Sequence, residues 1–122
     1  DIMRTADRLA IVTSGSTVKD AVLAMTHARS GSVGITDTDG RLLGIFTDGD
    51  LRRFLLKKRE LDDTPIHEAM SSHPYRIGGE RLAVEALAVM EEKHVTALAV
   101  VGESDQLEGL VHLHDLWRTE MI

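Results

Sequence analysis

Cysteine is absent from the 122-residue chain, which excludes disulfides, thiol chemistry and cysteine-based zinc sites. Proline occurs twice and aromatic residues make up 3%, too few for a platform of rings that stacks single-stranded bases. No run approaches the roughly 20 consecutive apolar residues of a membrane helix, so no membrane partner is expected. The opening Asp1-Ile2-Met3-Arg4-Thr5-Ala6-Asp7 carries acidic residues and no apolar core, unlike a signal peptide; a cytoplasmic location is expected. Position 1 is not Met, which suits a piece of a longer chain. Excess positive charge is missing too. The net charge is −6, and nucleic-acid affinity depends on clustered Lys and Arg. The one basic run, Lys57-Lys58-Arg59, is followed by Glu60, Asp62 and Asp63 and reads as a solvated helix end.

What is present is a duplication. Sliding the sequence against itself by 65 positions aligns Ala21 with Ala86, Met25 with Met90, Leu42 with Leu107 and Gly44 with Gly109. The same frame pairs Asp50 with Asp115, Leu51 with Leu116 and Arg53 with Arg118. Apolar residues match apolar ones between them, as at Val33 and Leu98 or Ile45 and Leu110. A repeat of this kind organises the fold, and it divides the chain into residues 1–59 and 60–122.

Each copy changes its hydrophobic period in the same way. Val18, Ala21, Val22 and Met25 stand at helical spacing within Thr17–His27, as do Leu82, Ala86, Val89 and Met90 within Leu82–Lys93. Thr17 suits an N-cap. Two short apolar runs follow, Ser32–Thr36 and Arg41–Phe46, separated by Asp37-Thr38-Asp39-Gly40, whose Asp-Gly step signals a tight hairpin. The second copy has Ala97–Val101 and Leu107–Val111 around Gly102-Glu103-Ser104-Asp105. A closing helix is predicted in each copy, near Gly49–Lys58 and His114–Met121, and a lead-in strand near Ala10–Val12 and Tyr75–Ile77. The polar connection Glu60–Met70 is predicted to restart a helix at Thr64-Pro65, since Pro suits a first helical turn. One copy of about 55 to 60 residues buries only a marginal core. The expected architecture is therefore α+β, two β-α-β-β-α repeats packed sheet against sheet about a pseudo-twofold axis.

The segment Gly44-Ile45-Phe46-Thr47-Asp48-Gly49-Asp50, with its counterpart Gly109-Leu110-Val111-His112-Leu113-His114-Asp115, resembles the cystathionine-β-synthase-type (CBS) domain. Two such copies resemble a Bateman module. The wording Leu43-Gly44-Ile45-Phe46-Thr47-Asp48-Gly49-Asp50-Leu51-Arg52-Arg53, with His112-Leu113-His114-Asp115-Leu116 downstream, is similar to the C-terminal regulatory part of bacterial arabinose-5-phosphate isomerases. Those enzymes serve synthesis of the lipopolysaccharide sugar 3-deoxy-manno-octulosonate (Kdo). The resemblance implies a regulatory module that works with an N-terminal sugar-isomerase domain, has no catalytic residues of its own and requires no cofactor.

Chemically, the motif is a strand end turning into a helix start, where unpaired amides and partial positive charge suit a phosphate. Thr47 can add a hydroxyl, and the Asp50 carboxylate can accept from a ribose cis-diol; CBS domains use equivalent Thr and Asp positions in that way. Asp48 and Arg53 flank them. In the second copy His112 replaces the Thr, His114 replaces Gly49 and Asp115 is kept. Arg76, His94 and Thr96, with His73, add polar groups that a sugar acid would use. The expected ligand-binding set is Thr47, Asp48, Asp50, Arg53, Arg76, His94, Thr96, His112, His114 and Asp115. The implied ligand is an anionic nucleotide or nucleotide-sugar: CMP-Kdo from pathway logic, or AMP or ATP as the commoner CBS ligands.

Other readings of the same residues stay open. Asp48 and Asp50 also favour the positive end of a helix, by about 0.3 to 1 kcal/mol. His112 and His114 also suit a half-exposed surface. No metal site is expected, because His112 and His114 share a face only on a continuous strand and a third ligand is not evident. The chain has no Gly-x-x-x-x-Gly-Lys loop, no Gly-x-Gly-x-x-Gly fingerprint and no Gly-x-Ser-x-Gly elbow. The competing function is structural: a ligand-free module whose exposed apolar helix faces hold the parent enzyme together, as a homodimer of CBS pairs.

Overall fold

A computed structural model describes residues 9–78, 83–95 and 97–112, the side chains of residues 83, 84 and 112 excepted. The first repeat runs β1 (Ile11–Thr13), α1 (Val18–Ala28), β2 (Ser32–Thr36), β3 (Leu42–Thr47) and α2 (Asp48–Leu56). The second runs β4 (Arg76–Gly78), α3 (Ala83–Lys93), β5 (Ala97–Val101) and β6 (Leu107–His112). Adding 65 to each boundary of β1, α1, β2 and β3 reproduces those of β4, α3, β5 and β6. The closing helix predicted near His114–Met121 lies outside the described residues.

Each repeat forms a three-stranded sheet, β1-β2-β3 and β4-β5-β6, with its first pair parallel and its second antiparallel. Even the irregularities repeat: the register slips between Ile35 and Thr36, and again between Val100 and Val101. The mixed architecture is the α+β arrangement the sequence predicts.

Local chemistry accounts for the elements. Thr17 caps α1, its Oγ1 accepting the Asp20 N–H at 3.2 Å while Asp20 Oδ2 accepts the Thr17 N–H at 2.9 Å. This reciprocal pair engages two of the donors that a helix start leaves without partners. The helix turns Val18, Ala21 and Met25 inward and ends at Arg29 in the left-handed conformation, φ 54°. Asp37 organises the hairpin, its Oδ1 accepting from the N–H groups of Asp39 and Arg41, and Gly40 supplies the positive φ of 86°. All five residues of β2 are buried, as befits a strand central to its sheet.

The connection differs from its prediction. Pro65 is extended (ψ 142°), and only a 3₁₀ turn forms at Ile66–Glu68. Tertiary bonds hold the segment instead: the Val18 N–H donates to the Thr64 carbonyl at 2.9 Å, and the Ile66 N–H to the Ser16 carbonyl at 2.9 Å. Ile66 is fully buried in the core of the first repeat, which outweighs the intrinsic preference of the segment. On the surface, Arg59 hydrogen-bonds Glu68 and holds that carboxyl below its ordinary range.

A separate apolar cluster joins the repeats: Leu42, Ile45, Ala97, Ala99 and Leu110. β2 meets β6 and β3 meets β5, contacts that exchange under the 65-residue shift. The isolated bridge Arg41–Gln106 links two positions 65 apart, so it sits on the pseudo-twofold axis.

Candidate functional site

The junction of β3 and α2 is built by a second capping box. Thr47, extended at φ −118° and ψ 172°, caps α2. Its N–H donates to Asp50 Oδ2 at 2.9 Å, and its hydroxyl donates to the same oxygen at 3.2 Å while accepting the Asp50 N–H at 3.2 Å. Arg53 Nη2 donates to Asp50 Oδ1 at 2.6 Å. Asp50 is therefore a buried carboxylate, 6% exposed, with donors on both oxygens. Asp50 thus stands in the first turn of α2, at the positive end of the helix, and Thr47 is the cap.

Beside this junction lies a cavity of about 530 Å³, within the range typical of small-molecule sites. The first repeat contributes Ile45, Thr47, Asp48, Gly49, Asp50, Arg52 and Arg53. The connection supplies Ser71, and the second repeat His73, Pro74, Tyr75, His94, Val95 and Ala97. Ile45 and Ala97 are buried apolar members, while His73, Tyr75, His94, Arg52 and Arg53 are exposed. His94 is held in the left-handed conformation at φ 58°, as Arg29 is at the equivalent place after α1. Tyr75, the only tyrosine of the chain, presents its ring 5.5 Å from Lys93 Nζ, a cation–π contact. The cavity thus combines two carboxylates, two guanidiniums, two imidazoles, a phenol and an apolar wall.

Of the residues expected from sequence, Thr47, Asp48, Asp50, Arg53 and His94 line this cavity together. Arg76 does not; in β4 its Nε lies 3.1 Å from Asp105 Oδ1, an ion pair. His112 closes β6 opposite Ala97, but its side chain, like the whole of Thr96, His114 and Asp115, lies outside the described residues. Arg52, Tyr75, Val95 and Ala97 are lining residues that sequence reasoning did not single out. Their signal was positional: they flank the motif, or the starts of β4 and β5 that face it across the twofold. Under the same symmetry Ala10, Ser30 and Ser32 occupy the places of Tyr75, Val95 and Ala97. Among the described residues no group of three or more His, Asp or Glu could hold a metal ion, and no helix is long and apolar enough to cross a membrane.

Comparison with known proteins gives the following. The CBS domain family matches residues 1–57 and 63–116. Arabinose 5-phosphate isomerase KdsD of Yersinia pestis is 39% identical over 122 residues, all of this chain but 37% of that protein's length. The chain therefore spans little more than a third of such relatives. Among solved structures, the CBS domain pair of protein MJ0100 in complex with 5′-methylthioadenosine and S-adenosyl-L-methionine superposes with a TM-score of 0.84 at 18% identity, covering 97% of this chain and 92% of that one. CBSX2 in complex with AMP superposes at 0.78 with 20% identity, covering 99% and 93%. At these identities the structural likeness bears on the fold.

Proposed function

This chain belongs to the CBS domain family, and from that premise we propose that it is a regulatory module that binds an anionic nucleotide or nucleotide-sugar between its repeats. The observation that carries the reading is the cavity at the β3–α2 junction. There a buried carboxylate and two arginines of one repeat face Tyr75, His73 and His94 of the other. Asp50 suits a ribose hydroxyl, the guanidiniums suit a phosphate, and Tyr75 with Val95 and Ala97 offers an apolar and aromatic surface to a base. The adenosine-type ligands of CBSX2 and of the MJ0100 pair support a nucleotide.

The likeness to arabinose 5-phosphate isomerase over the whole chain supports a parent protein of that kind, with a sugar-isomerase domain as the partner that would receive the signal. Its pathway's activated end product, CMP-Kdo, is the favoured effector, and an adenine nucleotide the next. Regulation needs different affinities in two states of the parent, typically worth about 1 to 3 kcal/mol.

Thermal unfolding of this chain against AMP, ATP, CMP, CMP-Kdo and arabinose 5-phosphate tests the reading. A ligand at 100 times its Kd adds about 2.7 kcal/mol, a shift of several degrees. A larger shift with CMP-Kdo than with CMP identifies an end-product sensor, and a shift with AMP or ATP alone an adenine-nucleotide sensor. No shift with any of them refutes ligand sensing and favours the second reading, a homodimerising structural module. A specific observation favours that alternative: Leu23 on α1 and Leu55 and Leu56 on α2 are 57%, 52% and 82% exposed.

A further inference from the structure

The start of α2 is a poorer anion site than its motif suggests. Helix N-termini attract phosphate through amides without partners. Here the Asp48 N–H donates to the Gly31 carbonyl at 3.0 Å, and the Asp50 N–H donates to Thr47 Oγ1. The Thr47 hydroxyl is engaged in both directions, donating to Asp50 and accepting from its amide. Two carboxylates, Asp48 and Asp50, stand in the same turn and oppose an incoming anion. A phosphate in this cleft needs its positive charge from elsewhere.

Arg53 is placed to supply it. Its side chain is 67% exposed and lines the cavity. The guanidinium lies across Gly49, so that a Cβ added there would stand 3.4 Å from Nη1 and 3.5 Å from Nη2. A side chain at that position would come into ordinary van der Waals contact with the guanidinium. A guanidinium has five N–H donors in a planar fork, of which the Asp50 contact engages Nη2. Asp50, buried and anchored by the capping box, fixes one edge of the fork and leaves the other turned toward a ligand. Arg53 can therefore keep its aspartate and take a phosphate at once.

Building on the nucleotide reading above, we infer that Arg53 is the specificity-determining residue of this cleft, distinguishing a phosphorylated ligand from the corresponding neutral nucleoside. Arg52 carries the same charge one residue away and also borders the cavity, but it has no fixed carboxylate partner among the contacts described. Charge alone would make the two arginines equivalent; an oriented fork would not.

Calorimetric titration of the chain with AMP, adenosine, CMP and cytidine decides this. The wild-type protein is expected to bind at least one monophosphate about 10- to 100-fold more tightly than its nucleoside, the range of a charge-assisted contact. R53A is expected to bring that ratio close to one. R53K retains part of the ratio, having the charge without the fork, and R52A retains most of it. Because the readout is a ratio, a general loss of stability in R53A does not imitate the result. The inference is overturned if R53A keeps the wild-type ratio, if R52A abolishes it equally, or if nucleoside and nucleotide weaken in parallel. In each of those outcomes the nucleotide reading itself survives. A wild-type chain that binds none of the four compounds overturns the inference, and the nucleotide reading falls with it when CMP-Kdo and ATP also fail to bind.

Discussion

At Ser32 the first repeat buries a hydroxyl where the second has only the methyl of Ala97. Ser32 is 1% exposed, and its Oγ has no hydrogen-bond partner among the described residues. The backbone is held by its neighbour, since the Ser30 hydroxyl donates to the Ser32 carbonyl and accepts its N–H. A buried hydroxyl left without a partner costs about 1 to 3 kcal/mol. Ser32→Ala is therefore expected to stabilise the chain by about 1 kcal/mol, and Ala97 shows that this site in the fold accepts a methyl. A thermal melt a few degrees higher checks it; a lower one would show that the hydroxyl has a partner. The orphaned oxygen had no sequence signature. A serine inside a short apolar run reads the same whether its hydroxyl is satisfied or not.

Among the elements, β3 does two jobs. Its inner edge pairs with β2, and its outer edge receives the connection through paired bonds between Ile45 and Ser71, at 3.1 and 2.8 Å. Gly44 makes that approach possible. A Cβ there would meet Met70 Sδ at 2.6 Å and the Ser71 carbonyl oxygen at 2.8 Å. What comes close at Gly44 is the Ser71 backbone together with the Met70 side chain. Gly44→Ala is expected to cost about 1 to 3 kcal/mol, because a carbonyl held in a ladder cannot move aside. Gly34→Ala is expected to cost less: its Cβ would meet Leu107 Cδ2, the end of a flexible side chain, and the second repeat has Ala99 at that place. Urea unfolding of the two variants ranks them; equal costs would refute the distinction. The cap of α1 at Thr17 was more legible, because Thr-x-x-Asp acts within four residues and carries its own geometry; the same pattern at Thr47 was read for a ligand instead.

For the whole molecule, the decisive contact is between repeats. Leu42 and Ile45 of the first are buried against Ala97, Ala99 and Leu110 of the second, on the sheet faces turned away from each repeat's own core. Separating the halves would expose that cluster and open the cavity, which draws its lining from both. A fragment of residues 1–71 is expected to show no cooperative thermal transition by far-ultraviolet circular dichroism. A sharp transition like that of the full chain would mean that each repeat is stable alone and that the interface serves only the cleft.

The sequence by itself determined the duplication, the order of the described strands and their helices α1, α2 and α3, the Thr17 cap and the hairpin, because those signals act over a few residues or recur at a fixed offset. It also brought Thr47, Asp48, Asp50 and Arg53 together, since they lie within the first two turns of one helix and its cap. Only the tertiary structure decided which residues face them. Tyr75 and Val95 reach the cavity through the pseudo-twofold docking of two apolar sheet faces, and no local pattern encodes that docking. The same long-range packing drew Ile66 into the first core and left a 3₁₀ turn where a helix was expected. It also set Arg76 against Asp105, outside the cavity lining. Pairings like these depend on which surfaces meet, and that is fixed by the summed burial of the whole chain rather than by any segment of it.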